Sequence, residues 1–158
     1  MDTESKVKAQ REQLAAQILD QLQQTLPPVL AKYPIEAAYV YGSVARGMVT
    51  PFSDIDIALV LSEPLPPYER LMLEFSIKAD IQDASDLRAL DVRAITEAPL
   101  LVRGKVVQEG MLLYQRDKAR RVAFEVQTRK RYFDFAPVAR RLRLAFLDKV
   151  HREGLLHG

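Results

Sequence analysis

Two short apolar runs constrain this chain most. IEAAYVYG at residues 35–42 and DIDIALVL at residues 54–61 are dense in β-branched and aromatic side chains, which suit the pleated, buried surface of a sheet. Tyr33-Pro34 precedes the first run, SEPLPP ends the second, and the segment between them holds Gly42, Gly47 and Pro51. Each run is thus bounded by residues that break regular structure. Two successive strands joined by a helical turn, SVARG, point to a small mixed sheet.

The rest of the chain reads mostly as helix. Residues 5 to about 26 carry Val7, Leu14, Ile18 and Leu22 or Leu26 at helical spacing, and Pro27-Pro28 are expected to stop that helix. Residues 67–83 repeat the pattern with Leu71, Leu73, Phe75, Ile77 and Ile81. RALDVRAI, near residues 88–95, reads as a third strand, and Pro99 sits in the first turn of a short helix reaching about residue 109. Gly110 ends that helix, MLLYQ is a short fourth strand, and everything from Asp117 onward is expected to be helical with an interruption near Pro137. The class is α/β (α+β): a mixed sheet of three to four strands flanked by helices, with a long C-terminal helical segment.

With 158 residues, 48% of them hydrophobic, the chain can close one core and is too short for two ordinary domains. One domain over residues 1–158 is expected, its core about 30–115 and its C-terminal helical segment about 116–153. The absence of cysteine excludes disulfides, thiolate metal sites and a cysteine nucleophile. No apolar run approaches the roughly 20 residues of a membrane span, and the polar start MDTESKVKAQREQ lacks the apolar centre of a signal peptide, so no membrane association and a cytoplasmic location are expected. Charge is uneven: residues 116–158 hold 12 Lys and Arg against 5 Asp and Glu, whereas residues 1–115 hold 11 against 16. The basic tail suits an acidic partner protein, a triphosphate or nucleic acid, and direct nucleic-acid binding stays open; a solvated basic helix face is the plainer reading.

The chemistry concentrates around DID. Alternation along a strand turns Asp54 and Asp56 to one side and sends Ile55 and Ile57 into the core. Adjacent carboxylates repel unless a cation neutralises them, and Mg²⁺ prefers carboxylate oxygens shared with phosphates. Alone, the pair is equally compatible with an exposed strand start. Upstream, however, Gly42 and Ser43 stand at a strand exit, where glycine lets amides approach an anion and Ser43 can offer a hydroxyl or cap a helical turn. Arg46 is placed to contact a triphosphate or to pair with a nearby acid, and Gly47 serves as a hinge. Elsewhere signals are weak: His151 and His157 lie in a polar end, no serine hydrolase signature and no GxxxxGK[ST] loop occurs, and Tyr132, Phe133 and Phe135 suit core or interface packing better than base stacking.

Gly42-Ser43, ten residues, then Asp54-Ile55-Asp56 resembles the signature of the DNA polymerase β-like nucleotidyltransferase superfamily. Within it, YGSVARG, TPFSDIDIALV, the later LDV strand, EGMLLYQRD and the C-terminal FE with RYFDF resemble the minimal nucleotidyltransferases called MntA-type antitoxins, over most of residues 35–137. The resemblance implies a polymerase β-like fold and a third acid at Asp91; Asp83 and Asp86 are poorer candidates, and a salt-bridged strand residue is the plainer reading of Asp91. It further implies two Mg²⁺ ions on Asp54, Asp56 and Asp91, ATP as substrate, and in-line attack on the α-phosphate by a hydroxyl. The acceptor it implies is a tyrosine on a HEPN-domain ribonuclease toxin, which the transfer of AMP would silence. Two other functions stay open: an antitoxin that binds nucleotide and neutralises its partner by occlusion, and an enzyme modifying a small molecule.

Overall fold

The computed structural model describes residues 2–154. The elements follow in the order α1 (Thr3–Leu30), β1 (Ile35–Tyr41), β2 (Ile55–Leu61), α2 (Pro67–Ala84), β3 (Leu90–Ala94), α3 (Leu100–Glu109), β4 (Met111–Gln115) and α4 (Lys118–Glu153). The strands form one mixed sheet in the order β3-β2-β1-β4. β1 runs antiparallel to both β2 and β4, whereas β3 is parallel to β2. The expected mixed sheet with flanking helices is present, with four strands, the upper of the three to four expected.

The period-2 alternation of each strand divides the apolar side chains between two helical layers. Val40, Ile55, Ile57, Leu59, Leu90 and Val92 join Leu22, Leu26 and Leu30 of α1 and Ile77 and Ile81 of α2. Tyr39, Ala58 and Val60 point the other way, onto Val106 of α3 and Phe124 of α4. Two points fasten the second layer. The buried Tyr39 hydroxyl donates to Glu125 Oε1 of α4 at 2.7 Å, and Gly104 of α3 lies so close under the Tyr132 ring that a side chain there would collide with it.

Two expectations need correction. Pro27-Pro28 do not stop α1, which runs on to Leu30. The carbonyls that lose their donors belong to Gln23 and Gln24, both exposed and free to bind water, while the buried Val29 and Leu30 hold the last turn in the core. Pro137 likewise lies inside an unbroken α4; the orphaned carbonyl is that of Phe133, which is exposed. Residues 42–47 form turns, as one of the two expected forms of SVARG. No described helix is long and apolar enough to cross a membrane. His151 is exposed on α4, and His157 lies outside the described residues.

Candidate active site

The three predicted acids meet where β1 ends and β2 and β3 begin. Strand register aligns Tyr41 with Asp56 across the antiparallel pair and Asp56 with Asp91 across the parallel pair. Asp54 precedes the first residue of β2, is exposed, and is close enough for its charge to be felt at Asp56. Burial, and then the charges of Asp91 and Asp54, raise the Asp56 carboxyl above its ordinary value, against the opposing pull of Arg93 and Arg46. Tyr41 is raised in the same way, by burial first and by Asp56 and Asp91 next.

Gly42 is the hinge of this arrangement. Its φ of +72° belongs to the left-handed region, and an added Cβ would stand 2.5 Å from Asp56 Oδ2. The glycine therefore serves the turn and also vacates the space that the carboxylate occupies. Beyond it, the amides of Arg46, Gly47 and Met48 donate back to Gly42, Val44 and Ser43 carbonyls at 3.1, 3.1 and 2.9 Å. Those of Ser43, Val44 and Ala45 make no such backbone bond among the described residues, and neither does the Ser43 hydroxyl find a partner, so these donors are open. Arg46 is exposed and makes no ion pair among the described residues.

Asp91 is salt-bridged, the plainer of its two expected roles: Arg93 Nε donates to Asp91 Oδ1 at 3.1 Å. The pair is half-open to solvent, so the tie is weak and exchangeable. No group of three acidic or histidine side chains is already drawn together as a closed metal cage among the described residues. Mg²⁺ does not require one, since it is commonly held by one or two carboxylates with water and substrate phosphates completing the shell. The charges of Asp91 and Asp54 bearing on the Asp56 carboxyl are donor chemistry that such an ion fits.

A cleft of about 690 Å³ opens beside Asp91 and runs along the outer edge of β3 between α2 and α3, with Tyr41, Arg93, Glu74 and Lys78 among its walls. Sequence reasoning missed these four. Tyr41 and Arg93 flank predicted site residues and were within reach of the pattern; Glu74 and Lys78 come from a helix whose placement against β3 no local pattern encodes.

The fold is similar to that of one chain in a solved toxin–antitoxin assembly with AMP-PNP, at 21% identity and a TM-score of 0.61, over 82% of this chain and 98% of that one. It is similar to a chain of an MntA-HepT toxin-antitoxin structure, at 19% identity and a TM-score of 0.56, over 82% and 97%. A structure of a tri-AMPylated Shewanella oneidensis HEPN toxin with MNT antitoxin also matches, at 20% identity and a TM-score of 0.50, over 89% and 98%. None of the curated proteins matches. The family described as Polymerase beta, Nucleotidyltransferase matches residues 24–119, a span that contains Gly42, Ser43, Asp54, Asp56 and Asp91. More than half of the chain is thereby accounted for, and it belongs to the polymerase beta nucleotidyltransferase family.

Proposed function

We propose that this chain is a Mg²⁺-dependent adenylyltransferase that transfers AMP from ATP to a tyrosine hydroxyl of a HEPN-domain ribonuclease toxin and so acts as its antitoxin. The observation that carries the reading is the convergence of Asp54, Asp56 and Asp91 beside a turn with open amides and an open Ser43 hydroxyl. A pure binding surface has no physical need for three mutually repelling carboxylates. The similar structures with AMP-PNP and with a tri-AMPylated HEPN toxin support the choice of nucleotide and partner.

In this reading the donors of Ser43, Val44 and Ala45 hold the triphosphate tail, with Arg46 on its exposed side. Asp54, Asp56 and Asp91 would hold the metal, which supplies charge neutralisation at the phosphates and a lowered pKa for the attacking hydroxyl. In this reading the acceptor enters through the cleft beside Asp91. A new bond forms between the tyrosine oxygen and the α-phosphorus, the bond to pyrophosphate breaks in line, and the hydroxyl proton passes to solvent or a nearby carboxylate. The chain's own contribution is positioning and electrostatics. The reading takes residues 1–158 as one minimal nucleotidyltransferase domain acting in the cytoplasm, where ATP is present.

One observation favours a second reading. Beyond Pro137, α4 leaves Leu142, Leu144, Phe146 and Leu147 exposed, an arm suited to covering a partner's surface without chemistry. Substoichiometric treatment of the purified toxin separates the two. A catalyst inactivates many toxin molecules, needs ATP and Mg²⁺, and leaves AMP on the toxin by mass spectrometry. Full protection by Asp54→Asn/Asp56→Asn at equimolar amounts only, with an unmodified toxin, establishes occlusion instead.

A further inference from the structure

The outer edge of β3 is an open hydrogen-bonding strip. Ile55 N–H donates to Ala89 C=O at 2.7 Å, and Ile95 N–H donates to Leu59 C=O at 2.8 Å. Backbone groups alternate along a strand, so Ala89, Asp91, Arg93 and Ile95 face β2 while Leu90, Val92 and Ala94 turn their backbone groups outward. One contact bears this parity out: the Ala94 N–H is taken up by Glu74 Oε2 of α2 at 3.0 Å. Leu90 N–H turns back to Arg88 C=O at 3.0 Å. Val92 is left with both its N–H and its C=O directed into the cleft, one residue from Asp91.

The cleft walls state what kind of occupant fits. Arg70 pairs with Glu97 at 3.4 Å and Arg93 with Asp91 at 3.1 Å, whereas Lys78 has no ion pair among the described residues. Lys78 lies one turn beyond Glu74, about 6 Å along α2, which matches the two-residue step of about 6.6 Å from Ala94 back to Val92. An unmatched ammonium therefore stands level with the unmatched backbone pair. Leu71 and Phe75 of α2 and Val102 of α3 line the same cleft and are exposed, offering apolar seats for alternate side chains of an extended segment.

We propose that the acceptor protein docks by laying an extended segment along β3 as an added strand, with an acidic side chain on Lys78 and its modified hydroxyl at the Asp91 end. This rests on the adenylyl-transfer reading above and deepens it. Main-chain bonds to Val92 supply a register that is independent of the acceptor's side chains, and Lys78 and the apolar seats supply selectivity.

The test combines two variants with one measurement that needs no chemistry. Val92→Pro removes the outward N–H without touching a bond to β2, as proline is tolerated on strand edges; Lys78→Glu reverses the charge and leaves the strand alone should the proline variant fold poorly. With the purified HEPN toxin as acceptor, both should raise its KM, by about three- to tenfold for Val92→Pro and about tenfold for Lys78→Glu. For Lys78→Glu, ATP affinity and kcat at saturating acceptor should stay near wild type. Amide exchange at Val92 should slow when the toxin is added with a non-hydrolysable ATP analogue. Wild-type transfer with unchanged KM in both variants and no slowing at Val92 overturns edge docking while leaving the adenylyl-transfer reading intact. No wild-type transfer together with slowing at Val92 overturns the transfer reading and retains the docking strip. A self-association of this chain that either variant abolishes would assign the edge to a second copy and overturn the proposal.

Discussion

Replacing Gly42 with alanine separates the turn's backbone demand from the site's demand for space. A non-glycine residue held in the left-handed region costs about 1–2 kcal/mol, and in a chain of this size each kcal/mol moves the melting temperature by about 2–4 °C. A fall of about 2–8 °C is therefore expected from the φ of +72° alone. The second effect is local. The new Cβ would stand 2.5 Å from Asp56 Oδ2, and relief to an ordinary contact of about 3.5 Å displaces the carboxylate by about 1 Å. A misplacement of that size in a catalytic constellation costs about 100-fold in rate. Gly47→Ala is the matched control: its φ is +68°, yet the nearest neighbour of its Cβ is Glu12 Cγ at 4.0 Å. Both variants should melt lower by similar amounts, and only Gly42→Ala should lose about 100-fold in kcat/KM for AMP transfer. The assay is transfer of labelled AMP at a temperature where both variants are folded. Equal activity in the two variants would refute the argument that the empty space at Gly42 sets the position of Asp56.

Three further outcomes follow from the same geometry. Asp56 is held above its ordinary value, so between the ordinary and raised values the folded chain binds more protons than the unfolded one, and stability falls as pH rises through that window; Asp56→Asn should abolish transfer yet melt at or above wild type at neutral pH without Mg²⁺, the difference shrinking on acidification. Ser43→Ala should lose one bond to a charged phosphate, about 1.5–3 kcal/mol or roughly 10- to 100-fold in kcat/KM, with no change in melting temperature because the hydroxyl caps nothing in the described residues; a collapse in stability would contradict the phosphate role. Glu125→Ala should leave the buried Tyr39 hydroxyl unpaired at a cost of about 1–3 kcal/mol, read as a lower urea midpoint, and an unchanged midpoint would show that α4 is held by apolar contact alone.

What was legible in the sequence was whatever depends on near neighbours. IEAAYVYG and DIDIALVL announce strands because β-branched and aromatic side chains fit a pleated buried surface, and MLLYQ is β4 with the expected bounds. The glycine and serine ten residues before DID were legible as a motif, and antiparallel pairing of β1 with β2, which sets Tyr41 opposite Asp56, brings Gly42 beside Asp56. What was not legible depends on tertiary surroundings. A proline's effect on a helix is set by whether the orphaned carbonyl can reach water, and whether later turns are buried, as at Val29 and Leu30. Cross-strand register, which brings Tyr41 beside Asp56 and Asp56 beside Asp91, is settled by pairing between distant segments. The open edge of β3 is likewise a property of strand order.

The acids explain why this corner of the fold is built as it is. Asp56 and Asp91 stand on two strands whose neighbours Ile55, Ile57, Leu90 and Val92 are buried, so the ladder cannot slip to separate the carboxylates without exposing a core face. Asp54, one residue before β2, is anchored by the same strand. Repulsion that cannot relax through the backbone must be met by charge. Arg93 and Arg46 meet it in part, each from an exposed position on a flexible side chain; Arg93 does so through its ion pair with Asp91, which is half-open to solvent, where such a pair is worth little and is readily exchanged. On the adenylyl-transfer reading, a divalent cation arriving with a triphosphate would displace Arg93 from Asp91 at small cost. The crowding of charge at Asp56 is kept by the same buried ladder that keeps the sheet.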